Sequence, residues 1–252
     1  MERLSRIVAF LDRYLAIEGK SDSCYNGLQV EGRENVKRIM FAVDAGAETF
    51  KIARKRSADM IVVHHGHFWT DVNPSVRGGA KERLDILFRN RISLYACHLP
   101  LDIHRTVGNN SLLLKLLGAT VKGPFCTHGG TPLSYWGAFA RAVSMDELAG
   151  RVSARLKTSA TILAFGKKKV RTIGVISGGG GRQHYAEAVK IGLDVFLTGE
   201  STDMFHDVRD QAMNVIFAGH HATETLGVME LARMLKKRMR VNTFFVDIPT
   251  GL

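Results

Sequence analysis

Five residues carry side chains suited to divalent cations and stand where an α/β protein puts its ligands. His64 and His65 follow the apolar run MIVV (60–63), and His220 follows VIFAG (215–219). Asp102 and Glu224 come four residues after His98 and His220. The run VFLTG ends on Glu200 in the same way. In open α/β sheets the ligand crevice lies beyond the carboxyl ends of the strands. A single histidine there is most simply structural, but shared placement after several strands argues for ligation. Imidazole mixed with carboxylate suits zinc, iron or manganese, and carboxylates can bridge two ions about 3.5–4 Å apart. The expectation is two divalent cations held by His64, His65, Asp102, His220 and Glu224, activating a bound water for hydrolysis.

His220 and Glu224, at i and i+4 where the helix ATETLGVMELARML begins, share one helical face. His98 and Asp102 repeat the spacing, although Pro100 argues against a regular turn there. Neighbouring strand residues face opposite ways, so His64 and His65 reach one site only if the backbone turns, which Gly66 would permit. Glu200 and His206 are the candidates for moving protons as general acid or base. His67, His104 and His221 read as exposed loop histidines, with outer-sphere roles as the alternative. The run SGGGG (177–181) could cradle an anion on bare amides or be a tight turn. CYNGLQV (24–30) reads as an Asn-Gly turn before a strand.

Hydrophobic periodicity predicts strands near 37–43, 59–64, 92–97, 136–142, 161–165, 172–177, 194–198, 214–218 and 243–247, with amphipathic helices between most of them. That alternation is α/β. Residues 28–46 overlay 162–180 without a gap, matching Gly32 with Gly166, Val36 with Val170 and Ile39 with Ile173. One extra residue then aligns DMIVVHH (59–65) with DVFLTGE (194–200), and SLYACH ending at His98 resembles VIFAGH ending at His220. The expected architecture is therefore an internal duplication: two related α/β halves, 1–126 and 127–252, with the di-metal site between them.

Composition sets the surroundings. The chain has 252 residues, 45% of them apolar, and no apolar run approaches the roughly 20 residues of a membrane span. Its amino-terminal stretch MERLSRIVAFLDRYL interleaves charges with apolar residues, as an amphipathic helix does and a signal peptide does not. A cytoplasmic location is expected. Cys24, Cys97 and Cys126 are odd in number and form no CxxC pair, which argues against a disulfide framework or a structural zinc site. The net charge of +11 leaves nucleotides, other anionic small molecules or nucleic acid open as partners. Its densest parts, Lys167 to Lys169 with Arg171 and Arg233 with Lys236 to Arg240, also fit solvated turns and a helix end.

Taken together, HHGHFW (64–69), HLPLD (98–102), TGE (198–200) and GHHATE (219–224), with NGLQV (26–30), resemble the YbgI-type, or NIF-three-like, family over nearly the whole chain. Members are known as type 2 homologues of GTP cyclohydrolase I. The resemblance implies that the two α/β halves are interwoven, that the same five ligands serve with Glu224 bridging, and that the chain forms a toroidal homohexamer, a trimer of dimers, with metal sites facing its cavity. Family members commonly carry HTxxD and HHP where this chain has His98-Leu99-Pro100-Leu101-Asp102 and His64-His65-Gly66. Those departures keep the implied ligands and alter the expected substrate pocket. Two functions stand at this point: a dinuclear hydrolase acting on GTP or a phosphoester, and a non-enzymatic metal-delivery or nucleic-acid-associated ring.

Overall fold

The computed structural model describes residues 1–128, 131–200 and 203–251. The chain runs β1 (Glu2–Arg3), α1 (Leu4–Leu15), β2 (Gly27–Val30), β3 (Asn35–Val36), β4 (Arg38–Asp44), α2 (Ala47–Lys55), β5 (Met60–His65), α3 (Gly79–Asn90), β6 (Ser93–Ala96) and α4 (Leu99–Asp102). It continues through α5 (Asn109–Leu117), β7 (Ala119–His128), β8 (Thr131–Ser144), α6 (Met145–Leu156), β9 (Thr161–Ala164), β10 (Lys169–Gly179), α7 (Arg182–Lys190) and β11 (Val195–Glu200). The last elements are α8 (Phe205–Asp210), β12 (Asn214–Phe217), α9 (His220–Arg238) and β13 (Asn242–Phe245). No described helix is long and apolar enough to cross a membrane.

Two compact units result: Met1–Leu101 with Gly227–Ile248, and Asp102–Leu226 with Pro249–Leu252. The strand β13 belongs to the first unit, with the elements at the start of the chain. The cause is long-range pairing, since β13 lies parallel to β4, with Asn242 opposite Arg38 and Phe245 opposite Phe41.

In the first unit the sheet order is β13-β4-β5-β6-β2. β4, β5 and β6 are parallel, and β2 is antiparallel to β6. Alternation sends Met40, Ala42, Ile61, Val63, Leu94 and Ala96 into one core with Phe50 and Ala53 of α2 and Leu84 and Leu87 of α3. Leu4, Ile7, Leu11 and Leu15 of α1 are buried at the spacing of an amphipathic helix. Tyr95 of β6 donates from its hydroxyl to Asp12 Oδ1 on that helix, at 2.8 Å.

In the second unit the order is β7-β8-β10-β11-β12-β9. Val195 and Leu197 enter one core with Leu148 and Val152 of α6. Phe196, between them in sequence, enters another with Tyr185 and Ala188 of α7 and Val208 of α8. The sequence reading missed β7, because Gly123 and Pro124 look like breakers. Both are tolerated because β7 is an edge strand with an irregular register between Val121 and Gly123.

The two sheets share one wiring. β4-β5-β6 with antiparallel β2 matches β10-β11-β12 with antiparallel β9. Asp59 Oδ2 accepts the backbone N–H groups of Lys37 and Arg38 at 2.8 and 2.9 Å, while Arg33 pairs with its other oxygen. Asp194 Oδ2 likewise accepts those of Arg171 and Thr172 at 2.8 and 3.1 Å, while Lys167 pairs with its Oδ1. These are the positions matched by the sequence overlay. The third strand differs by one residue: Ser93 pairs with Met60 as Asn214 does with Val195, and they accept the N–H of Gly32 and Gly166 respectively. His98 thus corresponds to Gly219 rather than His220, and Asp102 to Thr223 rather than Glu224.

Burial raises the Asp194 pKa, but Lys167 and the two backbone donors more than offset this and hold the carboxyl below its ordinary 3.8. A carboxyl depressed by folding stabilises above its unfolded pKa, and that stability is lost as pH falls through the folded pKa. Asp194→Ala should cost about 1–3 kcal/mol at pH 7 by stranding two backbone donors. In urea unfolding the difference from wild type should shrink below pH 3.8.

Candidate metal centre

The first unit gathers three imidazoles at the carboxyl ends of β5 and β6. Ring centroids of His64 and His65 lie 4.7 Å apart, with His98 at 5.1 and 5.6 Å from them. One nitrogen from each falls within 4.8 Å of the others. β5 runs through both His64 and His65, so no kink at Gly66 is needed. Gly66 is small for a different reason: a Cβ there would collide with Gln29 Nε2 and lie 2.7 Å from the Ala96 Cβ.

Each ring is held through Nδ1. His64, fully buried, places Nδ1 2.9 Å from the Cys97 carbonyl oxygen. A carbonyl only accepts, so Nδ1 carries a proton, and in the neutral ring the lone pair sits on Nε2. His65 Nδ1 lies 2.7 Å from Asp44 Oδ1, and His98 Nδ1 lies 2.8 Å from Asp22 Oδ1. Histidines that bind metals are usually oriented in this way by a carboxylate or carbonyl. The CYNGLQV segment proves to be more than a turn. Asn26 Oδ1 accepts the His98 N–H at 2.6 Å, and Gln29 Oε1 accepts those of His67 and Phe68 at 2.7 and 3.2 Å.

The second unit holds Asp102, His220 and Glu224. Asp102 ends α4, a regular helical turn despite Pro100, which stands in the first turn where no intrahelical N–H is required. Asp102 is 5% exposed, and its Oδ1 accepts from Asn109 Nδ2 and Ser177 Oγ, both at 2.8 Å. His220 and Glu224 open α9. His220 Nδ1 lies 2.7 Å from Glu200 Oε1, and its Nε2 lies 3.2 Å from Oε2 of Glu224, which is 2% exposed. Two carboxylates thus flank one imidazole, an arrangement satisfied by an imidazolium or by a cation shared between Nε2 and Glu224. Gly178, at φ +64, completes the cradle: a Cβ there would strike Glu224 Oε1 and sit 3.0 Å from His220 Nε2.

A sequence model of Duf34/NIF3 (NGG1p interacting factor 3) matches residues 2–251. The chain belongs to that family. A DUF34/NIF3 relative from Archaeoglobus fulgidus, named "GTP cyclohydrolase 1 type 2 homolog", is 38% identical over 252 residues, covering 99% of each chain. One of the same name from Pyrococcus horikoshii is 43% identical, covering 98% of each. Among solved structures, the protein ybgI, described as of unknown function, superposes with a TM-score of 0.94 at 36% identity over all of both chains. TTHA1606 from Thermus thermophilus superposes with a TM-score of 0.90 at 37% identity, again over all of both chains.

The remaining expected residues fall as follows. Glu200 contacts His220 and so orients a ring. His206 is exposed on α8 with its ring edge-on to Phe205, and no hydrogen bond joins it to Glu200 among the described residues. Two of the three histidines expected to be exposed are anchored: His221 is buried in α9, and His104 Nδ1 accepts the N–H groups of Thr106 and Val107. His67 is half-buried against Phe68. Cys24 and Cys97 are buried and Cys126 is partly buried, and no disulfide joins them among the described residues. Burial pushes the Cys24 thiol up to about 11 and Cys126 up to about 12. Of the SGGGG run, the Gly180 N–H is already given to Glu200 O at 3.1 Å, so that amide belongs to the structural turn. Among the supporting residues, Asp22, Asp44 and Asn109 escaped the sequence reading, and Ser177 entered it only as the first residue of the SGGGG run. Only Asp44, closing the run FAVD as His64 closes MIVV, carried a visible signal.

Gly178→Ala is expected to weaken divalent-cation binding about 10-fold or more by displacing Glu224 and His220, while the protein stays folded. Titration with Mn2+ checks this, and wild-type affinity in the variant would remove Gly178 from the account.

Proposed function

We propose that His64, His65, Asp102, His220 and Glu224 hold two divalent cations, zinc, iron or manganese, and that the protein is a metal-dependent hydrolase. The observation that carries this is the donor set within each unit: imidazoles fixed through Nδ1, and a buried glutamate facing an imidazole nitrogen. Neighbouring lone pairs and a buried carboxylate are costly to assemble unless a cation meets them.

When bound, such ions lower the pKa of water toward about 7 and polarise an electrophile. The chain's own groups then divide the remaining work. Asp44, Asp22 and Glu200 orient His65, His98 and His220, and His98 joins the histidine cluster as a further candidate ligand. His206, exposed and close in sequence to Glu200, remains the candidate for carrying protons. The name borne by relatives supports a nucleotide substrate, with GTP ring opening and formate release as the form to test first and phosphoesters second. The shared wiring of the two sheets supports an origin by internal duplication. We extend the proposal to a homohexamer, a trimer of dimers, on the strength of the family resemblance.

Elemental analysis should find two metal ions per chain in wild type and fewer in His64→Ala. Screened against GTP and phosphoesters, wild type should release formate or phosphate, and an Asp102→Ala, Glu224→Ala double variant should not. Formate release that persists in the double variant contradicts the proposal. Metal binding and transfer to an apo-acceptor without turnover would assign the same site to metal delivery.

A further inference from the structure

The register of β10 against β11 carries a feature that its counterpart in the first unit lacks. Between the pairs Ile176↔Thr198 and Gly179↔Glu200, β10 spends three steps where β11 spends two. Between Ala42↔Val63 and Asp44↔His65, β4 and β5 each spend two. The extra residue is a β-bulge at Ser177–Gly178. Bulges re-aim side chains that a regular strand would send to opposite faces.

Here the bulge serves two carboxylates borne by two different helices. Ser177, 7% exposed, donates from Oγ to Asp102 Oδ1 at 2.8 Å. Asn109 Nδ2 donates to the same oxygen at 2.8 Å, so two donors fix the carboxylate plane. Gly178, the next residue, leaves its side-chain space to Glu224 Oε1 and His220 Nε2. The dipeptide is itself pinned on three sides. Ser177 N–H donates to Asn110 Oδ1 at 2.8 Å, Gly178 N–H to Thr223 Oγ1 at 2.9 Å, and Thr198 Oγ1 to the Gly178 carbonyl at 3.0 Å. Thr223 lies on α9 between His220 and Glu224, so the strand end and the ligand-bearing helix turn are tied together.

We propose that the Ser177–Gly178 bulge is a positioning element for the metal centre, with Ser177 the residue that orients Asp102 for a divalent cation. This rests on the metal-binding reading above. The hydroxyl acts only through Asp102, so its loss should move metal affinity and geometry while leaving the metal-free fold in place.

Co2+ titration of the full chain, followed by calorimetry and by the visible spectrum of the bound ion, tests the inference. Ser177→Ala should lower Co2+ affinity about 10–100-fold and alter the spectrum. Ser177→Thr, which keeps the hydroxyl, should restore both, with the metal-free melting temperatures of all three proteins close together. Wild-type affinity and spectrum in Ser177→Ala would overturn the inference. So would a loss of affinity that follows melting temperature and is not restored by threonine. If Ser177→Ala does not fold, Asn109→Ala removes the other donor to the same oxygen and is read the same way. An Asp102→Ala control separates the two ideas. If wild type binds no Co2+, or Asp102→Ala binds it as wild type does, the metal reading itself fails and this inference falls with it.

Discussion

A neutral imidazole has one proton and one in-plane lone pair, and whichever nitrogen donates leaves the other to ligate. That constraint organises the candidate cluster of each unit. His64 must donate from Nδ1 because a carbonyl oxygen faces it at 2.9 Å. His65, His98 and His220 present Nδ1 to Asp44, Asp22 and Glu200 at 2.7, 2.8 and 2.7 Å. Each acceptor sets a ring's orientation as well as its tautomer, so four side-chain positions become backbone-scale features of the fold. The same contacts raise the basicity of the opposite nitrogen. A set of rings held this way is poorly suited to packing alone and well suited to a cation.

The fold supplies three of these acceptors from the ends of its parallel strands and the fourth, Asp22, from the loop between α1 and β2. Asp44 closes β4 beside His65 at the end of β5, and Glu200 closes β11 beside β10. Both units use one frame, down to an aspartate that holds two backbone N–H groups of the neighbouring strand. They fill that frame differently. Where the first unit has Asp44 to orient a histidine, the second has a bulge and a glycine that make room for Glu224. The frame therefore fixes where ligands can stand, and local departures decide which group stands there.

Much of this was legible in the amino-acid sequence. Apolar runs ending in His or Glu marked β5, β11 and β12, and the i, i+4 spacing placed His220 and Glu224 on one helical face, where α9 has them. The overlay of 28–46 on 162–180 identified equivalent strands, and it slipped by one residue at β6 and β12 because short apolar runs fix register poorly. What remained hidden was of two kinds. Long-range pairing is the first, since nothing local in NTFF announces that it joins β4. Asp22, Asn109 and Ser177 are common polar residues whose role depends on where a distant element brings its partner. Glu200 was visible as a strand-end carboxylate, but its position alone could not tell a proton carrier from a group that orients a ring.

The direct test is a neutron crystal structure of the metal-free protein above neutral pH, in which exchangeable deuterons are seen. A deuteron on Nδ1 and none on Nε2 of His64, His65 and His98 is the result predicted here. Deuterons on Nε2 of His65 and His98, with Nδ1 bare toward Asp44 and Asp22, would contradict the claim that these carboxylates prepare the rings for a cation.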